Sequence, residues 1–200
     1  MGQVNTPKFW EDIYKGQQTG WDLGGPTPVF QRLLDSGRFL PGRMFVPGAG
    51  SGHDALEFAR RGFDVTAVDF AAEATRALSA QVEPGMALKV MQADIFELPH
   101  TLDGTFDYVL EYQCFCAIDP LRRPDYADLI ARLLKPGGLI IQLAFPLGTY
   151  EGGPPYSVIA DAIVFMFKRR GFTLVEREIP KDSIPRRCGC EELLLMRKSA

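Results

Sequence analysis

The stretch PGAGSGHD sets Gly48, Gly50 and Gly52 between an apolar run, RMFVPG (43–48), and a run with helical spacing, DALEFARRG (54–62). Glycine lets a backbone approach a ligand closely, and a helix start leaves N–H groups free to meet it. Any tight strand–helix turn uses glycine as well, so the turn alone is a weak signal. Asp69 follows it by about 20 positions, at the end of the β-branched run FDVTAVDF (63–70). A carboxylate is acceptor-only and can take both hydroxyls of a ribose. The competing role for Asp69 is to cap a helix starting near residue 71. Asp94 closes a third run, MALKVMQAD (86–94), where it can accept from an adenine amino group or cap a turn. A glycine turn and two strand-end acids together have the arrangement of an adenosine pocket.

The glycine order narrows the adenosine compound. A dinucleotide fingerprint, G-x-G-x-x-G/A, needs a small residue where this chain has His53, and its last glycine falls one place early. That favours S-adenosylmethionine, which has no pyrophosphate to cradle, over a nicotinamide dinucleotide. An NAD(P)-linked oxidoreductase is the competing enzyme. A non-catalytic S-adenosylmethionine-binding protein is the alternative from another class.

Elements must hold these residues in place. Helices are predicted at 6–15, 27–36, 54–62, 72–82, 123–138 and 157–170, and strands at 43–48, 63–70, 86–94, 105–112 and 139–146. Two more strands, FTLVEREI and ELLLMRK, close the chain without a helix between them, so one of the two runs antiparallel. Alternating strands and helices predict an α/β, Rossmann-like fold: a mostly parallel seven-stranded sheet with helices on both faces. A single domain spanning 1–200 is expected, with 1–40 as a helical lid over the cofactor and 41–200 as the core.

Composition sets the outer bounds. Of the 200 residues, 46% are hydrophobic and 24% charged, with a net charge of −3, as in an ordinary soluble globular protein. The basic groups KRR (168–170) and RR (122–123) are short and read as solvated helix faces, so no nucleic-acid partner is expected. No apolar run reaches the roughly 18 residues of a membrane span. The N-terminus lacks a signal pattern, so a cytoplasmic protein is expected. The four cysteines form two Cys-x-Cys pairs, Cys114/Cys116 and Cys188/Cys190. Metal sites favour Cys-x₂-Cys, so reduced, mostly buried thiols and no metal are expected.

Several segments carry more than the generic pattern: FWEDIYKGQQTGWDLGGPTP, VPGAGSGHDALEFARRGFDVTAVDF, QADIFEL, YQCFCAIDPLRRPDYA, LLKPGG, GGPPY and SIPRR. In order and spacing the chain resembles the thiopurine S-methyltransferase superfamily of class I methyltransferases, closest to its thiol and halide methyltransferase branch. The resemblance spans about residues 9–187. It implies that S-adenosylmethionine is consumed and S-adenosylhomocysteine released. It implies that Trp10 and Trp21 cover the cofactor, with Tyr14 where the plant halide and thiol enzymes carry tryptophan. Gly48, with Gly50 in the same turn, lies by resemblance against the methionine part and Asp69 on the ribose. Asp94 and Ile95 frame the adenine, and Tyr112 is a further cofactor-side position.

The physical chemistry agrees, because aromatic faces attract a sulfonium cation and exclude water. Acceptor candidates are Glu111 and Phe115 in EYQCFCAI, Tyr150 and Tyr156 in YEGGPPY, and Arg186 in SIPRR. Tyr156 is the favoured acceptor-side hydroxyl. Phe115 reads equally as core, Tyr150 as a surface tyrosine, and Arg186 as solvated. Glu111 would repel an anionic acceptor, so it either faces the cofactor's ammonium group or selects a different acceptor. His53 is expected to pack at the helix start and His100 to lie in a surface loop. The expected reaction is in-line methyl transfer to a small soft nucleophile (thiol, sulfide, halide or thiopurine-like sulfur) by a monomer or weak homodimer.

Overall fold

The protein is described from a computed structural model, which covers residues 3–16 and 19–200. Residues 1–2 and 17–18 of the expected lid lie outside the described residues. The chain groups into two compact units, Met1–Glu97 and Leu98–Ala200.

In the first unit the apolar runs form parallel strands. β1 (Arg43–Pro47) pairs with β2 (Asp64–Asp69), and β2 with β3 (Leu88–Gln92), giving the order β3-β2-β1. Met44, Phe45, Val65, Ala67 and Val68 are fully buried, as expected of strands covered on both faces. Four helices accompany them: α1 (Pro7–Lys15), α2 (Pro28–Asp35), α3 (His53–Arg60) and α4 (Ala72–Ser79). Pro7 and Pro28 open the first two, where a missing N–H costs no helical bond. Phe30 of α2 meets Phe58 of α3 edge to face at 6.4 Å, and Phe58 meets Phe63 at 5.2 Å. Each of these buried rings contributes roughly 1.5–3 kcal/mol. The helix predicted over 72–82 stops at Ser79, because Gln81 and Val82 close tight turns onto Leu78 and Ser79 ahead of Pro84.

The second unit has the order β4-β5-β7-β6, from β4 (Phe106–Tyr112), β5 (Leu134–Ala144), β6 (Phe172–Glu178) and β7 (Glu192–Lys198). β4 and β5 are parallel, and β7 runs antiparallel to both β5 and β6, so β7 is the expected reversed strand. With β1–β3 these make the seven strands of the predicted sheet. The helix predicted over 123–138 ends at Leu133 as α5 (Arg123–Leu133), and the next residue already belongs to β5. Pro136 cannot continue a helix and holds Lys135 extended, so KPGG becomes an irregularity inside the strand. There the register jumps from Phe106↔Leu134 to Tyr108↔Leu139. α6 is Ala160–Lys168, shorter than the predicted 157–170, because Val158 is held in a bridge with Leu147. Among the described residues no helix is long and apolar enough to cross a membrane.

Candidate active site

Within the first unit, the turn after β1 puts Gly48, Gly50 and Gly52 at φ of 55°, 56° and 75°, the left-handed region that glycine enters without strain. A Cβ on Gly50 would lie 3.1 Å from the Tyr14 hydroxyl, and one on Gly52 2.2 Å from Leu78. Asp69 is buried at the end of β2. Its Oδ2 accepts from Gly50 N at 2.9 Å and its Oδ1 from Ala71 N at 2.9 Å. α4 starts at Ala72 without a side-chain cap, so Asp69 braces the glycine turn rather than capping that helix. Burial raises its carboxyl above the usual range, against the backbone N–H groups that lower it. One lone pair on each oxygen is left for two more donors. Asp94 is half-buried and accepts from Phe96 N at 2.9 Å, starting a short turn that includes the buried Ile95.

Trp10, Tyr14 and Trp21 form a half-buried aromatic cluster in the same unit. Trp21 meets Trp10 at 5.8 Å and Tyr14 at 5.7 Å, both edge to face. Trp21 hydrogen-bonds the Tyr14 hydroxyl, while burial and then the Asp69 charge raise that phenol's pKa. Asp22 fastens the segment. It accepts from Ser51 Oγ at 2.5 Å and from Gly24 N at 2.7 Å, and it pairs with His53 Nε2 at 2.9 Å. Burial alone would raise the Asp22 carboxyl, but these bonds hold it below the usual range. His53, expected only to pack at the helix start, is therefore also half of a latch. Asp54 makes a second tie, accepting from Thr27 N at 2.7 Å and Thr27 Oγ1 at 2.8 Å.

These residues fit S-adenosylmethionine. The glycine turn packs its backbone closely under Tyr14 and Leu78, the strand-end acid accepts from hydroxyls, and three aromatic rings suit a sulfonium cation.

Within the second unit the candidates gather past the end of β4. Glu111 is buried at 2% exposure and accepts from Phe115 N at 2.8 Å. Burial pushes its carboxyl up to about 7, against the hydrogen bond from Phe115. Gln113 takes a φ of 70°, rare for a side-chain-bearing residue and a form of strain that clusters at functional sites. Tyr112 hydrogen-bonds both Glu191 and Arg187, and the Arg187 guanidinium also lies 4.7 Å over the Phe145 ring. Of the two arginines in SIPRR, Arg187 is buried and the expected Arg186 is exposed. Phe115 is buried edge to face with Tyr126 at 5.6 Å. Tyr150 is exposed, and its hydroxyl donates to Pro155 O at 3.3 Å. Tyr156 is half-buried, with its N–H donating to Cys116 O at 2.7 Å.

Two expectations need correction. Arg123, read as part of a solvated face, turns its guanidinium onto the Phe115 ring and onto loop carbonyls. Mostly buried thiols hold only for Cys114 and Cys116. Cys188 and Cys190 are exposed, flanking Gly189 at a φ of 78° in a surface turn.

The family pattern of thiopurine S-methyltransferase matches residues 5–187. The chain is 32% identical to probable thiol methyltransferase 2 of Arabidopsis thaliana, over 98% of this chain and 87% of that protein. It is 34% identical to thiocyanate methyltransferase 1 of the same plant, over 92% of this chain and 82% of that protein. Among solved structures it superposes on Burkholderia thailandensis 1,6-didemethyltoxoflavin-N1-methyltransferase, solved with S-adenosylhomocysteine bound. The TM-score is 0.74 at 20% identity, covering 97% of this chain and 87% of that one, a likeness of fold.

Proposed function

We propose that this chain, which belongs to the thiopurine S-methyltransferase family and is an S-adenosylmethionine-dependent methyltransferase, methylates a small soft nucleophile, a thiol foremost. The observation that carries this is the fate of the only two histidines. His53 is latched to Asp22, and His100 is paired with Asp103 at the surface, 2.8 Å apart. A thiol of ordinary pKa is already partly ionised near neutrality, halide and thiocyanate carry no proton, and hydrosulfide can attack without losing its own. Such acceptors suit a protein whose histidines serve structural carboxylates. The names of the plant relatives point to the same class of acceptor.

We assign the cofactor to the first unit. Asp69 accepts from the ribose hydroxyls, Asp94 and Ile95 frame the adenine, and Gly48 and Gly50 admit the methionine part. Trp10, Tyr14 and Trp21 shield the sulfonium from water. The bound cofactor supplies a methyl group already primed to leave, so the protein's work is alignment and exclusion of water. Acceptor-side roles fall to the second unit: Phe115 and Tyr150 as walls, Tyr156 as hydroxyl donor, and Arg186 in drawing anions from solution. Tyr112 and Glu111 keep their proposed places beside the reacting groups, Glu111 as the proton-holding group. A small-molecule acceptor and a monomer or weak homodimer in the cytoplasm complete the reading.

The test is release of S-adenosylhomocysteine with a panel of alkyl and aryl thiols, hydrosulfide, thiocyanate, iodide, and matched alcohols and amines. Turnover restricted to the sulfur and halide members is expected. Turnover only with the alcohols or amines overturns the acceptor assignment.

A further inference from the structure

We infer that Arg123 is a positioning residue that sets acceptor specificity by clamping the loop 147–158 to the segment after β4; this rests on the soft-nucleophile reading above. Arg123 opens α5, and its guanidinium lies 4.7 Å over the Phe115 ring. From that position Nη1 donates to Ser157 O at 3.1 Å and Nη2 to Tyr156 O at 3.4 Å. The Tyr156 N–H donates in turn to Cys116 O at 2.7 Å. One side chain thus touches two of the three segments that carry acceptor candidates.

Apart from Leu147 N, which donates to Cys190 O at 3.0 Å, the rest of the loop bonds within itself or to its own base at Pro146. Leu147 and Val158 form a bridge, Gly148 N donates to Val158 O at 3.1 Å, and Val158 N donates to Pro146 O at 2.9 Å. Ser157 Oγ donates to Tyr150 O at 2.9 Å. These bonds fix the loop's base and inner shape. Among the described residues, the Tyr156 N–H ties the loop directly to the segment after β4, and Arg123 adds two bonds to the loop while its guanidinium stacks on Phe115 of that segment. Only a planar guanidinium can donate to two successive carbonyls while stacking on an aromatic ring; an ammonium is a point donor. Burial lowers the Arg123 pKa, and its buried Nε has no hydrogen-bond partner among the described residues. A side chain held there at such cost is expected to do positional work that a solvated arginine on α5 would not.

Arg123→Met keeps the stem and removes the fork, and Arg123→Lys keeps the charge without the paired geometry. Two readouts in the full chain separate positioning from plain stability. In the free protein, hydrogen exchange at the Tyr156 amide is expected to speed up by about tenfold in both variants, the loss of one or two charge-assisted bonds. In turnover, KM for an aryl thiol is expected to rise about tenfold, with kcat and calorimetric cofactor affinity within about twofold. Unchanged exchange at Tyr156, or cofactor affinity falling in step with the KM loss, overturns the inference. If Arg123→Met does not fold, Arg123→Lys alone decides. The exchange measurement needs no acceptor, so an absence of thiol turnover sinks the proposed acceptor while the clamp is still judged.

Discussion

Asp69 shows how one carboxylate serves fold and function with the same two oxygens. Each already holds a backbone N–H, from Gly50 and from Ala71, and so fixes the glycine turn against the end of β2. The remaining lone pair on each oxygen is what a ribose would use. Asp69→Ala is therefore expected to weaken S-adenosylmethionine binding by about 100-fold, two charge-assisted bonds being lost. Calorimetry checks it, and unchanged affinity would leave Asp69 as a brace alone. Asp69→Asn separates the two functions further. Its amide oxygen can keep one backbone bond, but the NH₂ group cannot accept from a hydroxyl, so affinity should fall more than stability. Asp69 was legible in the sequence because strand end, glycine turn and acid follow one another along the chain. Arg187 was not: its partner Tyr112 lies 75 positions away, and nothing in RR tells which arginine turns inward.

At the scale of elements, the feature that fixes the cover is the tie between the N-terminal segment and α3. Trp21 sits between Trp10 and Tyr14, but it is Asp22 that fixes the segment, through Ser51 and His53 at the start of that helix. The partners are 29 and 31 positions apart, so neither local periodicity nor spacing could reveal the latch. The strands, by contrast, were readable to within a residue or two wherever an apolar run ended in glycine or aspartate. The boundaries that moved are those where a backbone partner from elsewhere intervened, as at Val158, where local turns closed a helix, as after Ser79, or where Pro136 ended one early. If the latch holds the aromatic cover in place, S-adenosylmethionine should change the Trp21 fluorescence of the native chain. Asp22→Asn, which removes the carboxylate that holds His53 and Ser51, should enlarge that change and weaken cofactor binding by about tenfold. A cofactor-insensitive emission in both proteins would reduce the segment to a linker.

For the molecule as a whole, buried carboxyls set how stability depends on pH, and Asp69, which burial also raises, acts in the same direction as Asp54 and Glu111. Burial raises Asp54, in the first unit, from 3.8 to about 6, and Glu111, in the second, from 4.5 to about 7. An acid with a raised pKa binds its proton more tightly in the folded state, so its contribution is greatest at low pH. That contribution is lost as pH rises, between 3.8 and about 6 for Asp54 and between 4.5 and about 7 for Glu111. Asp22, Asp103 and Asp128 act in the opposite direction: their lowered pKa values stabilise the fold above 3.8, and that is lost on further acidification. Stability should therefore peak in mildly acidic solution and decline toward neutrality. Above both raised values the Glu111 contribution amounts to a penalty on the order of 3 kcal/mol. Glu111→Gln removes the charge and keeps an oxygen to accept from Phe115 N. In urea melts of the cofactor-free protein, the variant should match wild type at about pH 4.5. By pH 8 it should be the more stable of the two, with a shallower slope between, set by Asp54 and Asp69. Parallel pH profiles for the two proteins would mean that Glu111 does not change ionisation between the folded and unfolded states in this range, and would remove it from the proposed role of proton-holding group.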